Sequence, residues 1–215
     1  MRAAPTPSKT TEFLVLRKTP FGENSFIVAG VSPQEGRMTL RMGAPTSRRT
    51  SGTGAFDLFQ LLQVEYTQKG DIGSARQYTI LRDFSAVALH RDSFEAACFL
   101  ARFTLENLLH LPMPAYTQAL LVALERLAHP VETLPPEGVL TAAALSFLNE
   151  NGVLSPVDLT PREAAQCQML LEMASGTAEP LPLSREVWKA LWQWTWGRLL
   201  DAEAKVPESA FTPRT

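Results

Sequence analysis

The sequence predicts an α+β chain in which a small all-strand barrel precedes an all-helical region. Three observations carry this. Five short strand-like runs separated by turn signals occur before residue 85, a helical period takes over after residue 90, and the charge changes sign at nearly the same place. Divided after Arg82, the first part holds 11 Lys+Arg against 6 Asp+Glu, net +5, and the remainder 9 against 16, net −7. The formal total of −2 thus hides a polarised molecule. Such asymmetry points to an anionic partner for the basic half, which the acidic half would repel.

The first residues, "MRAAPTPSKTTE", have no apolar stretch of the kind a secretory leader needs, so 1–11 is expected to be a flexible tail. Strands follow at "FLVL" (13–16), "SFIVAGV" (25–31), "RMTLRM" (37–42), "LFQLLQVEYTQ" (58–68) and "ARQYTILRDF" (75–84). The turn signals between them are "TPFGEN", "SPQEG", a long Gly/Ser/Thr loop and "KGDIG". Antiparallel strands of this number over residues 12–84 suit a Greek-key barrel of the OB type; an SH3-like barrel has a similar strand count, and spacing alone does not choose between them.

From residue 85 to 205 an all-helical domain is expected, with 206–215 as a C-terminal tail. "SFEAACFLARFTLENLLHL" (93–111) places Phe94, Ala97, Cys98, Ala101, Leu105, Leu108 and Leu109 on one helical face. "YTQALLVALERLAH" (116–129) repeats the pattern with Leu120, Leu124 and Leu127, and "PMP" divides the two. A third helix, "GVLTAAALSFLNEN", is stopped by Gly152. A fourth begins at "TPRE", with Thr160 as N-cap and Glu163 closing a capping box. The last runs from Ser184 to about Glu203. It carries Trp188, Trp192 and Trp196 at i, i+4 and i+8, a spacing that marks a packing face rather than a base-stacking platform; Trp194 falls off this stripe and is expected to be exposed.

The composition, 45% hydrophobic and 20% charged, is that of an ordinary globular chain. The longest apolar run, Val139 to Leu148, is half of the roughly 20 residues a membrane span needs, so a cytoplasmic protein is expected. Cys98 and Cys167 are isolated thiols with no C-x-x-C pair. With only His90, His110 and His129 besides, neither a zinc site nor a disulfide framework is expected. No nucleophile elbow, phosphate loop or nucleophile–base pair is present, so neither an enzyme nor a nucleotide cofactor is indicated.

The most informative stretch is "MGAPTSRRTSGTGAF" (42–56). No acidic residue occurs between Glu35 and Asp57, yet Arg37, Arg41, Arg48 and Arg49 all do. The glycines and hydroxyl residues mark a mobile surface loop with no core to serve, so its charges face a partner. With Arg17 and Lys18 these four arginines are the candidate nucleic-acid contacts; in a barrel of the OB type, loops and neighbouring strands border the groove that follows a nucleic-acid backbone.

The order of residues across "VLRKTPFGENSFIVAGVSPQEGRMTLRMGAPTSRR…GAFDLFQLLQVEY" resembles the N-terminal domain of the bacterial RecO recombination mediators. The matching positions are Leu16, Arg17, Gly22, Glu23, Asn24, Gly36, Arg37, Gly43, Ala44, Arg48, Arg49, Ala55, Phe59 and Leu62. The resemblance implies an OB-fold that binds single- and double-stranded DNA, a helical domain after it, and a role in recombinational DNA repair near the nucleoid. It also implies annealing of complementary strands in concert with RecR and single-strand-binding protein. Two departures stand out. Where many members carry four zinc-ligand cysteines, the chain passes from "GVLSP" to "VDLTPRE" with none. A C-terminal stretch that is basic in the family is "VPESAF". The absence of Lys and Arg between Arg126 and Arg162 counts against docking of an acidic tail from single-strand-binding protein on the helical domain. Two other readings remain open: an OB-fold protein–protein adaptor that contacts DNA weakly, and an RNA or membrane-surface binder using the same basic loop.

Overall fold

The computed structural model describes residues 7–43, 56–154 and 159–213. Strands β1 (Lys9–Pro20), β2 (Ser25–Ser32), β3 (Gly36–Gly43), β4 (Gln60–Lys69) and β5 (Ile72–Asp83) close into a barrel in the order β1-β2-β3-β5-β4. The β3–β5 pairing is parallel, with Leu40 opposite Gly73 and Arg41 opposite Ser74, and the other pairings are antiparallel. This is the OB arrangement, and it decides between the two barrels that strand count left open. β1 starts at Lys9, inside the stretch expected as a tail, because Lys9, Thr10 and Thr11 pair with Tyr66, Glu65 and Val64 of β4.

Period-2 alternation fills the barrel. Phe13, Val15, Val28, Met38, Leu40, Met42, Phe56, Leu62, Val64 and Tyr66 form its buried core. The alternation breaks where Val15 pairs with Gly30 but Arg17 with Ala29, which leaves Leu16 as the extra residue of a β-bulge. Beside it, Gly30 lies so close to the Leu14 carbonyl and the Phe13 ring that a Cβ there would overlap both. The bulge reverses which residues of β1 face inward, with consequences for the two cations that follow it.

Among the described residues five helices follow: α1 (Arg91–Asn107), α2 (Pro114–Ala128), α3 (Pro136–Glu150), α4 (Pro161–Ser175) and α5 (Arg185–Asp201), after a 3-10 turn at Ser85–Leu89. α3 is apolar nearly all round and is buried along most of its length. The aromatic residues set the orientation of α1. Phe99 lies 5.6 Å edge-on from Trp192, and Phe103 lies 4.9 Å from Phe147. The buried face therefore centres on Phe99, Leu100 and Phe103, while Phe94 and Cys98, expected inside, are at the surface. The capping box forms as expected: Glu163 N–H donates to Thr160 Oγ1, and Thr160 N–H donates to Glu163 Oε2 at 2.8 Å. Gly152, just past the end of α3, adopts φ +73°.

Trp188 and Trp192 are buried and Trp196 is half-buried. Trp194, expected to be exposed, is also half-buried, with the Arg198 guanidinium 5.4 Å from its ring centroid. The stretch after α5 packs rather than trailing: Pro207 is buried, and Trp192 Nε1–H donates to the Phe211 carbonyl at 2.7 Å. The described residues divide into two compact units, one reaching to Ser85 and taking in Leu108–Pro112, the other made of Ala86–Asn107 and Met113 onward. Leu108–Pro112, read from sequence as the end of the first helix, belongs to the barrel unit because Arg37 N–H donates to the Leu109 carbonyl at 3.1 Å.

Candidate nucleic-acid interface

On β3 the inward residues are Gly36, Met38, Leu40 and Met42, so Arg37, Thr39 and Arg41 share the outer face. At about 3.3 Å per residue, Arg37 and Arg41 stand roughly 13 Å apart along the strand. Arg41 is exposed and pairs across the sheet with Ile27 of β2 and Ser74 of β5. Arg17, exposed on β1, stands in the row of Ala29 and Thr39. Among the described residues no ion pair engages Arg17, Arg37 or Arg41; pairs in this unit include Lys9 with Glu35 and Lys18 with Asp57. Three cations that have no carboxylate partner among the described residues keep their field for an external anion.

Lys18 is placed differently. After the bulge at Leu16 it points to the end of the barrel core. There its ammonium lies 4.7 Å from the Phe26 ring centroid and 4.8 Å from that of Phe56, and it donates to the Phe56 carbonyl at 2.9 Å. Its side chain is 23% exposed and also approaches Asp57 at 3.7 Å. Phe26 and Phe56 meet edge-to-face at 5.8 Å, and Phe56 meets Tyr78 likewise at 5.3 Å, so Lys18 lies over an aromatic plug. Arg17 and Lys18, adjacent in sequence, thus occupy opposite sides of the barrel wall. Arg48 and Arg49 lie outside the described residues.

Two surface residues that the sequence reading passed over join the arginines. Arg76 is exposed and is the extra residue of a second bulge, since Gln77 pairs with Glu65 but Ala75 with Tyr66. It is two residues beyond Ser74, the partner of Arg41. Phe21, 50% exposed in the turn between β1 and β2, has the Arg41 guanidinium carbon 5.2 Å from its ring centroid. The sequence signal for Phe21 was an aromatic residue inside the turn "TPFGEN"; for Arg76 there was none, because a bulge has no signature in alternation.

Around the start of β3 a cleft of about 300 Å³ is lined by Lys9, Glu35, Arg37, Tyr66, Asp71 and His110 among others. Burial and the Glu35 carboxylate, to which the Tyr66 hydroxyl donates, push the Tyr66 phenol up to about 12. The His110 ring contacts the Arg37 carbonyl through Nδ1 at 3.1 Å, which steadies this end of the strand. The two thiols are not activated nucleophiles. Loss of hydration, with Glu95 beside Cys98 and Glu163 beside Cys167, pushes both upward. Among the described residues no three His, Cys, Asp or Glu side chains gather as a metal site would require, and no helix is long and apolar enough to cross a membrane.

No protein-family model matches the chain. Two relatives do: the DNA repair proteins RecO of Prochlorococcus marinus strains MIT 9303 and MIT 9313. Each is 31% identical to the chain over 116 residues, which is 53% of this chain and 43% of the relative. The likeness to RecO therefore covers about half of the chain and less than half of each relative. It is independent of the geometry above, in which a closed OB barrel carries arginines with no carboxylate partner among the described residues.

Proposed function

We propose that this chain acts in DNA repair in the manner of a RecO protein. It binds single- and double-stranded DNA on the outer surface of its barrel and promotes annealing of complementary strands without a nucleotide cofactor. The observation that carries the reading is a set of cations with no carboxylate partner among the described residues, Arg17, Arg37, Arg41 and Arg76, on a closed and packed OB barrel. Contacts of this kind go to phosphates, so binding is indifferent to sequence and weakens with salt. Arg48 and Arg49, in the acid-free stretch between Glu35 and Asp57, add two further cations to the same half of the sequence. Annealing of naked strands is limited by phosphate repulsion, and neutralising one strand while leaving its bases open lowers that barrier with no bond made or broken. On this reading the chain needs no catalytic residue and works in the cytoplasm, on the nucleoid, with RecR as a partner; the absence of Lys and Arg between Arg126 and Arg162 counts against a contact of the helical domain with single-strand-binding protein.

The helical unit does not bind DNA in this account. It carries the acidic excess and serves geometry and partner contacts. A strand-annealing assay with the full chain and no ATP tests the reading: accelerated annealing supports it. Binding without annealing, even with RecR and single-strand-binding protein from the same source, overturns the mediator role. A second reading, a protein–protein adaptor, is favoured by Leu109 and Leu111, each 71% exposed in the barrel unit. Salt-independent failure to bind any oligonucleotide would favour it.

A further inference from the structure

The arginines account for phosphates but not for Phe21. An aromatic side chain half open to water, at the tip of a hairpin, contributes nothing to the barrel core. The turn that carries it is nevertheless closed. Phe21 N–H donates to the Ser25 carbonyl at 2.9 Å, the Ser25 hydroxyl donates back to the Phe21 carbonyl, and Gly22 takes the left-handed conformation, φ +67°, that lets the chain reverse. The ring is thus presented from a fixed base. Against it, reaching from β3 past β2, stands the planar guanidinium of Arg41, itself exposed and bound to no carboxylate among the described residues.

We infer that Phe21 and Arg41 form a stacking platform for an unpaired nucleobase, which makes this surface prefer single strands to duplex. The inference rests on the nucleic-acid reading above and adds the part of the ligand that phosphate contacts cannot recognise. An aromatic ring offers a π-face to any base without reading its edge, and a guanidinium both stacks and holds a neighbouring phosphate. In a duplex each base is already stacked on both sides and paired at its edge, so the platform has nothing to receive. In a single strand a base turns out at little cost. The platform also suits annealing, since a base held by its face keeps its pairing edge free.

The test uses the full chain with a mixed-sequence oligonucleotide carrying one 2-aminopurine, alone and annealed to its complement, at one fixed salt concentration. Wild type is expected to quench the 2-aminopurine of the single strand and to bind that strand more tightly than the duplex. Phe21→Ala should weaken single-strand binding about 5- to 150-fold, the range for loss of one base–aromatic stack. It should abolish the quenching and leave duplex affinity and the salt dependence unchanged. Phe21→Leu, which keeps apolar bulk without a π-face, should behave like Phe21→Ala, and Phe21→Tyr like wild type; these two carry the test if the alanine variant fails to fold. Phe21→Leu binding as wild type does, or equal losses on single strand and duplex, would overturn the platform while leaving the nucleic-acid reading in place. Wild type that binds neither form would overturn that reading instead.

Discussion

Replacing Lys18 with Met separates a structural cation from the binding cations beside it. The substitution keeps the apolar stem over Phe26 and Phe56 but removes the ammonium. What is lost is a charge-assisted hydrogen bond to the Phe56 carbonyl, roughly 1.5–3 kcal/mol, and two partly exposed cation–π contacts of about 0.5–1 kcal/mol each. The pair with Asp57, whose side chain is 70% exposed, adds almost nothing. One ammonium makes all these contacts, so they do not sum in full, and the expected cost is about 2–3 kcal/mol of barrel stability. Hydrogen exchange on peptides from β1 and β2 reads this directly, because the four tryptophans lie at 188–196 and report only on α5. Protection there should fall on the order of 30- to 100-fold, at about 1.4 kcal/mol per tenfold. The salt dependence of oligonucleotide binding should stay as in wild type. Intact protection combined with a shallower salt dependence would show that Lys18 contacts phosphate and would refute its placement at the barrel end.

Glu150, at the end of α3, accepts from the backbone N–H groups of Ala115 and Tyr116 at 3.2 and 2.7 Å, and so caps α2, whose own N-cap residue Met113 supplies no side-chain bond. Glu150→Ala should cost about 1–2 kcal/mol, read as a lower urea midpoint by indole fluorescence; an unchanged midpoint would dismiss the cap. Tyr66, with its phenol raised from 10 to about 12, favours the folded state fully below pH 10, where it is neutral in both states, and that contribution fades as pH rises through 12. Wild type should therefore lose stability between pH 10 and 12. Tyr66→Phe should lose less over the same interval, and parallel losses would contradict the shift.

The barrel was legible because its strands alternate cleanly and its turns carry Gly, Pro and Asn, and the helical unit was legible because its caps and periods are regular. What escaped the sequence follows from two kinds of event. Bulges at Leu16 and Arg76 shift the alternation by one residue, which sends Lys18 inward and adds Arg76 to the surface; nothing in the composition of either strand encodes the shift. Large rings, placed by packing between helices, rotated α1 towards Phe99 and Phe103 and away from Phe94 and Cys98. The site was half legible. Arg37 and Arg41 stand out as cations in the acid-free stretch between Glu35 and Asp57, and β-strand parity puts both on one face. The companion of Arg41, Phe21, became visible only when the turn brought the ring under the guanidinium.

In the proposed function the outer surface of the barrel binds nucleic-acid phosphates through arginines that have no carboxylate partner among the described residues. The most direct measurement is the affinity of the full chain for a single-stranded oligonucleotide across a range of salt, in wild type and in the Arg37→Ala, Arg41→Ala double variant. Four phosphate contacts, at about 0.7 each on single strands, give an expected slope of log K against log salt of roughly −3, or steeper if Arg48 and Arg49 also engage. The double variant should flatten the slope by about 1.4 and weaken all sequences alike. A wild-type slope near zero, or a double variant whose slope equals that of wild type, would contradict the account.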